Sequence, residues 1–196
     1  MTNPARLLFV LVPAIILIIF TRCGEVEPPA PENEEEIINC LTLTFTETAG
    51  GTPLIFRAFD ADGEGPGAIE IDEIALEAET EYLLELTLEN TLAGIDLTPE
   101  ILEESDEHIF FFGWTAGLFD SPPGDGNIDN RQDPVNYADQ DINGLPVGLI
   151  TEWLTGDAES GTFQVLLKHQ PDIKSSNSTA EDGATDLDIT FNIIIG

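Results

Sequence analysis

Residues 41–46 alternate without exception: Leu41, Leu43 and Phe45 are apolar, whereas Thr42, Thr44 and Thr46 are polar and β-branched. A period of two sends successive side chains to opposite faces of a strand, so this run gives one buried face and one wet face and does not suit a helix. Comparable runs recur at 52–59, 68–76, 81–88, 108–114, 147–154, 162–169 and 185–195, and turn-forming clusters stand at 49–53, 62–67, 143–144 and 159–161. Short strands separated by such joints predict an all-β fold, an antiparallel sandwich of the immunoglobulin-like, Greek-key kind. One short crossover helix is expected after Thr98, which can cap it, with Pro99 in the first turn and Glu100, Glu103 and Glu104 following. Phe110, Phe111 and Phe112 are consecutive, so that strand is apolar on both faces, which predicts a central position in its sheet. Trp114 and Trp153 suit either core packing or an aromatic platform, and core packing is the expectation.

The amino-terminal part follows a different rule. Residues 7–20 are apolar, interrupted only by Pro13, after a start carrying Arg6. That length falls short of the roughly 20 residues of a membrane-spanning helix and fits a secretory signal. It ends at Cys23, which opens an acidic, proline-rich stretch. Residues 1–22 therefore read as a lipoprotein signal peptide, Cys23 as the lipidation site, 23–36 as a disordered acidic linker and 37–196 as one β-sandwich domain. Phe20 and Arg22 depart from the usual approach to a lipidated cysteine. The alternatives are a retained helical anchor, or ordinary cleavage that leaves Cys23 free and able to pair with Cys40. The linker reads equally as a spacer and as a surface-export signal containing Glu25 and Glu27.

Charge narrows the partners. The 196 residues carry 6 Lys+Arg against 38 Asp+Glu, a formal net charge of −32, and removal of residues 1–22 takes away two arginines and no acid. A chain so poor in cations cannot displace counterions from a phosphate backbone, which excludes nucleic acid. Anionic lipid repels it too, leaving an acyl anchor as its membrane contact.

Three groups of residues invite chemistry. Asp139, Asp141, Asn143 and Gly144 match the opening half of a calcium loop, but Ile150 stands where a closing bidentate Glu belongs; a hairpin turn on Asn143-Gly144 is the favoured reading. Asp120–Asp133 and Asp60–Glu64 are further oxygen-rich loops that suit calcium or solvated turns. His108 and His169, the only histidines, each extend an apolar row at a strand end. Brought together, with Asp106 or Asp172, they would make a metal site; two hydrogen-bonded histidines closing the core is the plainer expectation. No Gly-x-Ser-x-Gly elbow, phosphate loop, dinucleotide fingerprint or His-Glu-x-x-His helix is present in the sequence. The chain reads as no enzyme.

The segments at 41–46, 59–63, 106–111, 143–149 and 167–174 together resemble a family of small lipoproteins of the Bacteroidota, over nearly the whole of the domain. Some members bear a label taken from the type 1 periplasmic-binding fold, but a parallel sheet needs helical crossovers that this sequence lacks. The resemblance implies location and class: an outer-membrane or cell-surface lipoprotein. Two functions are expected from it and from the residues: a monomeric, non-enzymatic binding or accessory module serving an outer-membrane transporter, or a structural, adhesive lipoprotein with calcium-stabilised loops.

Overall fold

In the computed structural model, which describes residues 37–63 and 67–196, the alternation at 41–46 is obeyed in space. Leu41, Leu43 and Phe45 are fully buried, while on the other face Thr44 and Thr46 lie half-buried and Thr42 is buried at 8% exposure. Cys23, the leader, the whole linker at 23–36 and Glu64 lie outside the described residues.

The elements run β1 (Cys40–Glu47), β2 (Leu54–Phe59), β3 (Glu70–Ile71), β4 (Ile74–Leu76), β5 (Glu81–Asn90), β6 (Ile95–Asp96), α1 (Thr98–Glu103), β7 (His108–Trp114), β8 (Phe119–Ser121), β9 (Ile150–Thr155), β10 (Glu159–His169) and β11 (Ala184–Ile195). One sheet has the order β3-β2-β1-β5-β9-β8, with β6 added to β5; the other has β4-β11-β10-β7. Every pairing is antiparallel except β4 with β11. The protein is an all-β sandwich.

Its core is the meeting of two inner faces. Leu41, Leu43 and Phe45 of β1 and Tyr82, Leu84, Leu86 and Leu88 of β5 join one buried cluster with Phe110, Phe112 and Trp114 of β7, Phe163, Val165 and Leu167 of β10, and the inward row of β11. Aromatic rings bridge the sheets edge to face, Phe45 to Phe163 at 6.3 Å and Phe112 to Trp153 at 5.7 Å. Such contacts add to the area they bury and fix how the sheets interlock. Trp114 and Trp153 sit within this cluster, 5.0 Å apart, so both tryptophans are core.

Several local expectations are revised. The run at 68–76 is not one strand: it breaks at Asp72-Glu73, leaving β3 in one sheet and β4 in the other. Thr98 is not the helix cap. Leu97 occupies that position without a side-chain bond, and the Thr98 hydroxyl accepts the Leu88 backbone N–H at 3.0 Å, tying α1 to β5. The helix does cross over, from β6 to β7 in the opposite sheet.

The strand β7 is also not central. It ends the smaller sheet, and its outward side chains Ile109 and Phe111, with their neighbour Leu166 on β10, are covered by Ile128 and Ala180 instead of a second sheet. Its free edge is closed by the loop that follows β8. Asn127, fully buried, accepts the Phe112 N–H on Oδ1 at 3.0 Å, while its own N–H donates to Phe112 O at 2.8 Å. One asparagine thereby does the hydrogen bonding of a neighbouring strand. Gly126 makes the approach feasible: at φ +104° a Cβ there would fall 2.0 Å from Phe112 O.

Tyr137 completes this closure. Its hydroxyl donates to Phe110 O and accepts from Asn127 Nδ2 at 2.9 Å. Burial pushes its phenol from 10.0 up to about 12. A raised folded-state value means that the phenol's contribution to stability is whole below pH 10.0 and is lost as pH rises toward about 12. We expect phenolate absorbance to show Tyr137 ionising only together with unfolding in that window; ionisation near pH 10 in the folded protein would contradict the burial.

Candidate functional site

The inward rows of β7 and β10 run in register, Trp114 opposite Phe163, Phe112 opposite Val165, Phe110 opposite Leu167, and end with His108 opposite His169. The two imidazoles are therefore a cross-strand pair by construction. Their rings stack 4.5 Å apart with planes inclined by 9°. His108 is fully buried and His169 reaches the surface slightly, at 8% exposure, so the site opens on the His169 side.

Acidic side chains surround the pair. The Asp106 and Asp172 expected there are not the partners that the geometry gives; Asp186, Glu107 and Glu104 are. Asp186 Oδ2 stands 3.6 Å from His108 Nε2, both side chains almost wholly buried. It gets there through a bulge: the pairing of β10 with β11 shifts between Leu167 and Lys168, so Leu187 and Thr185 are paired and Asp186 is the extra residue. A regular strand would send residue 186 outward with Asp188; the bulge re-aims it. Glu107 Oε2 lies 3.2 Å from His169 Nε2 at the open side.

Glu104 closes α1 as its carboxy-terminal cap. Its carbonyl accepts from His108 Nδ1 at 3.2 Å. A carbonyl can only accept, so Nδ1 carries the proton and, in the neutral ring, Nε2 keeps its lone pair. This is the arrangement by which metal-binding histidines are oriented. Glu104, His108 and His169 each offer one ligand atom, and the three lie within 4.8 Å of one another. Zinc places nitrogen donors about 2.0 Å from the ion, so the three close on a metal only if the stacked rings rotate out of parallel.

The half calcium loop is built differently from a cation cradle. Asp139 accepts N–H groups from Gly148, Leu149 and Ile150 at 2.7, 2.8 and 3.2 Å. Burial raises its carboxyl pKa and those N–H groups hold it back. Asp141 Oδ1 accepts the N–H groups of Asn143 and Leu145, and Oδ2 faces Lys174 Nζ at 2.9 Å. Asn143 is exposed at the turn's tip. Only Gly144 has positive φ, +79°, so the turn is not the type I′ form, which needs both central residues there. In the Asp120–Asp133 loop, Asp125, Asp129 and Asp133 bring carboxylate oxygens within 4.8 Å of one another at the surface.

Cys40 is buried, with a thiol pKa raised mainly by desolvation, and Cys23 lies outside the described residues. Among the described residues no helix is long and apolar enough to cross a membrane. Comparison of the chain with protein-family models, with curated proteins and with solved structures gave no match.

The bulge that delivers Asp186 left no pattern in the sequence, and Glu104 looked like one acid among many. The bonds of Asp139 generate a direct expectation. Asp139→Ala should orphan three backbone N–H groups and cost about 2–4 kcal/mol in denaturant unfolding, with no rescue by calcium. A calcium-dependent rescue of the wild type alone would restore the cation reading.

Proposed function

We propose that the protein is a non-enzymatic binding module of the cell envelope, tethered through Cys23, whose ligand site is the sandwich end formed by His108, His169 and Glu104. The observation that carries the site is the convergence of those three ligand atoms within 4.8 Å, on two adjacent strands and a helix terminus. Two imidazoles and a carboxylate suit a borderline divalent transition ion such as zinc better than calcium, which favours oxygens alone. The ion enters from the His169 and Glu107 side, and Asp186 lies against the buried ring, where it offsets positive charge. Tethering rests on the sequence: a 14-residue apolar leader, a cysteine at its end and an acidic linker, together with the resemblance to Bacteroidota lipoproteins. An outer-membrane protein is the partner that such a tether puts within reach, and the surplus of acid repels anionic lipid.

A second reading is favoured by Asp125, Asp129 and Asp133. If calcium is held there, it stiffens the loop that closes the β7 edge, and the protein is a structural envelope lipoprotein. Titration calorimetry separates the two. Zinc should bind one to one at micromolar strength or better, and His108→Ala with His169→Ala should weaken it at least about 100-fold. Equal zinc affinity in that double variant sinks the histidine site, and a calcium-dependent melting shift abolished by Asp129→Asn supports the structural reading. Metabolic labelling with palmitate should mark the wild type and not Cys23→Ser; equal labelling of both would remove the anchor.

A further inference from the structure

Lys174 and Asp141 meet in a dry site distinct from the histidine cluster. Nζ and Oδ2 are 2.9 Å apart, with side-chain exposures of 1% and 0%. Fully desolvated ion pairs gain little over a neutral alternative, because the cost of removing both charges from water rivals their attraction. The position of each atom is unusual for a pair that serves only as an ion pair.

Asp141 Oδ1 accepts two backbone N–H groups, from Asn143 at 2.8 Å and Leu145 at 2.9 Å. Oδ2 accepts none, and its contact with Nζ does not have hydrogen-bond geometry. On the other side, Lys174 Nζ donates to the carbonyl of Ser105, which aims the nitrogen while leaving its remaining substituents toward Asp141. One carboxylate oxygen is thus held by a pair of N–H donors, as an oxyanion hole holds a developing charge. The other lies 2.9 Å from the Lys174 nitrogen, which puts the amine beside the same carboxyl group.

We propose that Lys174 and Asp141 condense to an intramolecular amide. Nζ gives up protons and bonds to Cγ; charge building on Oδ1 is stabilised by the Asn143 and Leu145 N–H groups; the Cγ–Oδ2 bond breaks. The ammonium brings three protons, the amide nitrogen keeps one, and the other two leave with Oδ2 as water. Nothing else is consumed, and no net charge is created. Desolvation lowers the Lys174 pKa, which favours the neutral, nucleophilic form of its amine. Asp141, by contrast, has its carboxyl pKa lowered, chiefly by the backbone N–H of Leu145 and by Lys174 against the opposing effect of burial. Its proton must therefore come from the ammonium itself, across the 2.9 Å contact.

The chain's own cleavage sites provide the readout. Trypsin cuts after Arg131, Lys168 and Lys174, and acylation of Lys174 blocks the last of these. The full-length protein, denatured and digested, should yield residues 132–168 joined to 169–196, lighter than the two peptides by one water, about 18 Da. In Asp141→Asn the same branched product should form with loss of ammonia instead, about 17 Da below its two parts. Recovery from wild type of free 132–168, together with cleavage after Lys174, overturns the proposal. Because the wild-type digest decides alone, poor folding of Lys174→Ala or Asp141→Asn does not rescue it.

Discussion

The pairing of β7 with β10 is the constraint on which the rest of the molecule depends. Its register puts Trp114, Phe112, Phe110 and His108 on one inward row and Phe163, Val165, Leu167 and His169 on the facing positions. Strand side chains repeat every two residues, so a slip of β7 by one against β10 would turn its inward row to the outside and bring Ile109 and Phe111 into the core. Three aromatic residues in succession make that slip less costly for β7 than for an amphipathic strand. What forbids it is the polar ends: the slip would place His108 among the residues under the outer loops and detach it from Asp186. Apolar packing supplies the energy here, and the histidine end supplies the register.

Covering the outer side of β7 requires loops, and several of their polar groups are tied by hydrogen bonds. Asn127 and Tyr137 close the strand edge on one side, while Gln170, fully buried, donates from Nε2 to Thr179 O and Asp182 O on the other. These bonds satisfy backbone groups of irregular segments that sit against an apolar sheet, although the buried Oε1 of Gln170 has no hydrogen-bond partner.

How much of this was legible in the residues follows from which physical signal each feature leaves. Alternation at 41–46 and at 185–195 gives β1 and β11 with little error, because a half-buried face imposes a period. The stacked histidines were half visible, since parity put each at the end of an apolar row, yet parity does not reveal which strands adjoin. Asp186 was invisible, because a bulge breaks the period by which one would assign its face. The edge position of β7 was hidden for a different reason: an apolar outer face reads the same whether a sheet or a loop covers it, and Gly126 and Asn127 looked like ordinary turn residues. Asp139 and Asp141 were ambiguous for the converse reason, since a carboxylate fit to bind a cation is equally fit to accept backbone N–H groups.

The short connection from α1 to β7 is where these threads meet. Glu104 contributes to the histidine end, and its neighbour Ser105 accepts the Nζ of Lys174, so adjacent residues take part in two polar clusters. Anything that fixes Lys174 therefore fixes the backbone next to Glu104, and with it one donor of a three-donor set. For a metal site whose stacked rings must rotate to close, a fixed backbone at Glu104 leaves the reorganisation to side chains, chiefly to His169 at the open side. His108, held by Glu104 O on one nitrogen and facing Asp186 on the other, has the smaller freedom. Preorganisation of that kind lowers the cost of binding without adding a contact, and it would come from a pair of residues that never touch the ion.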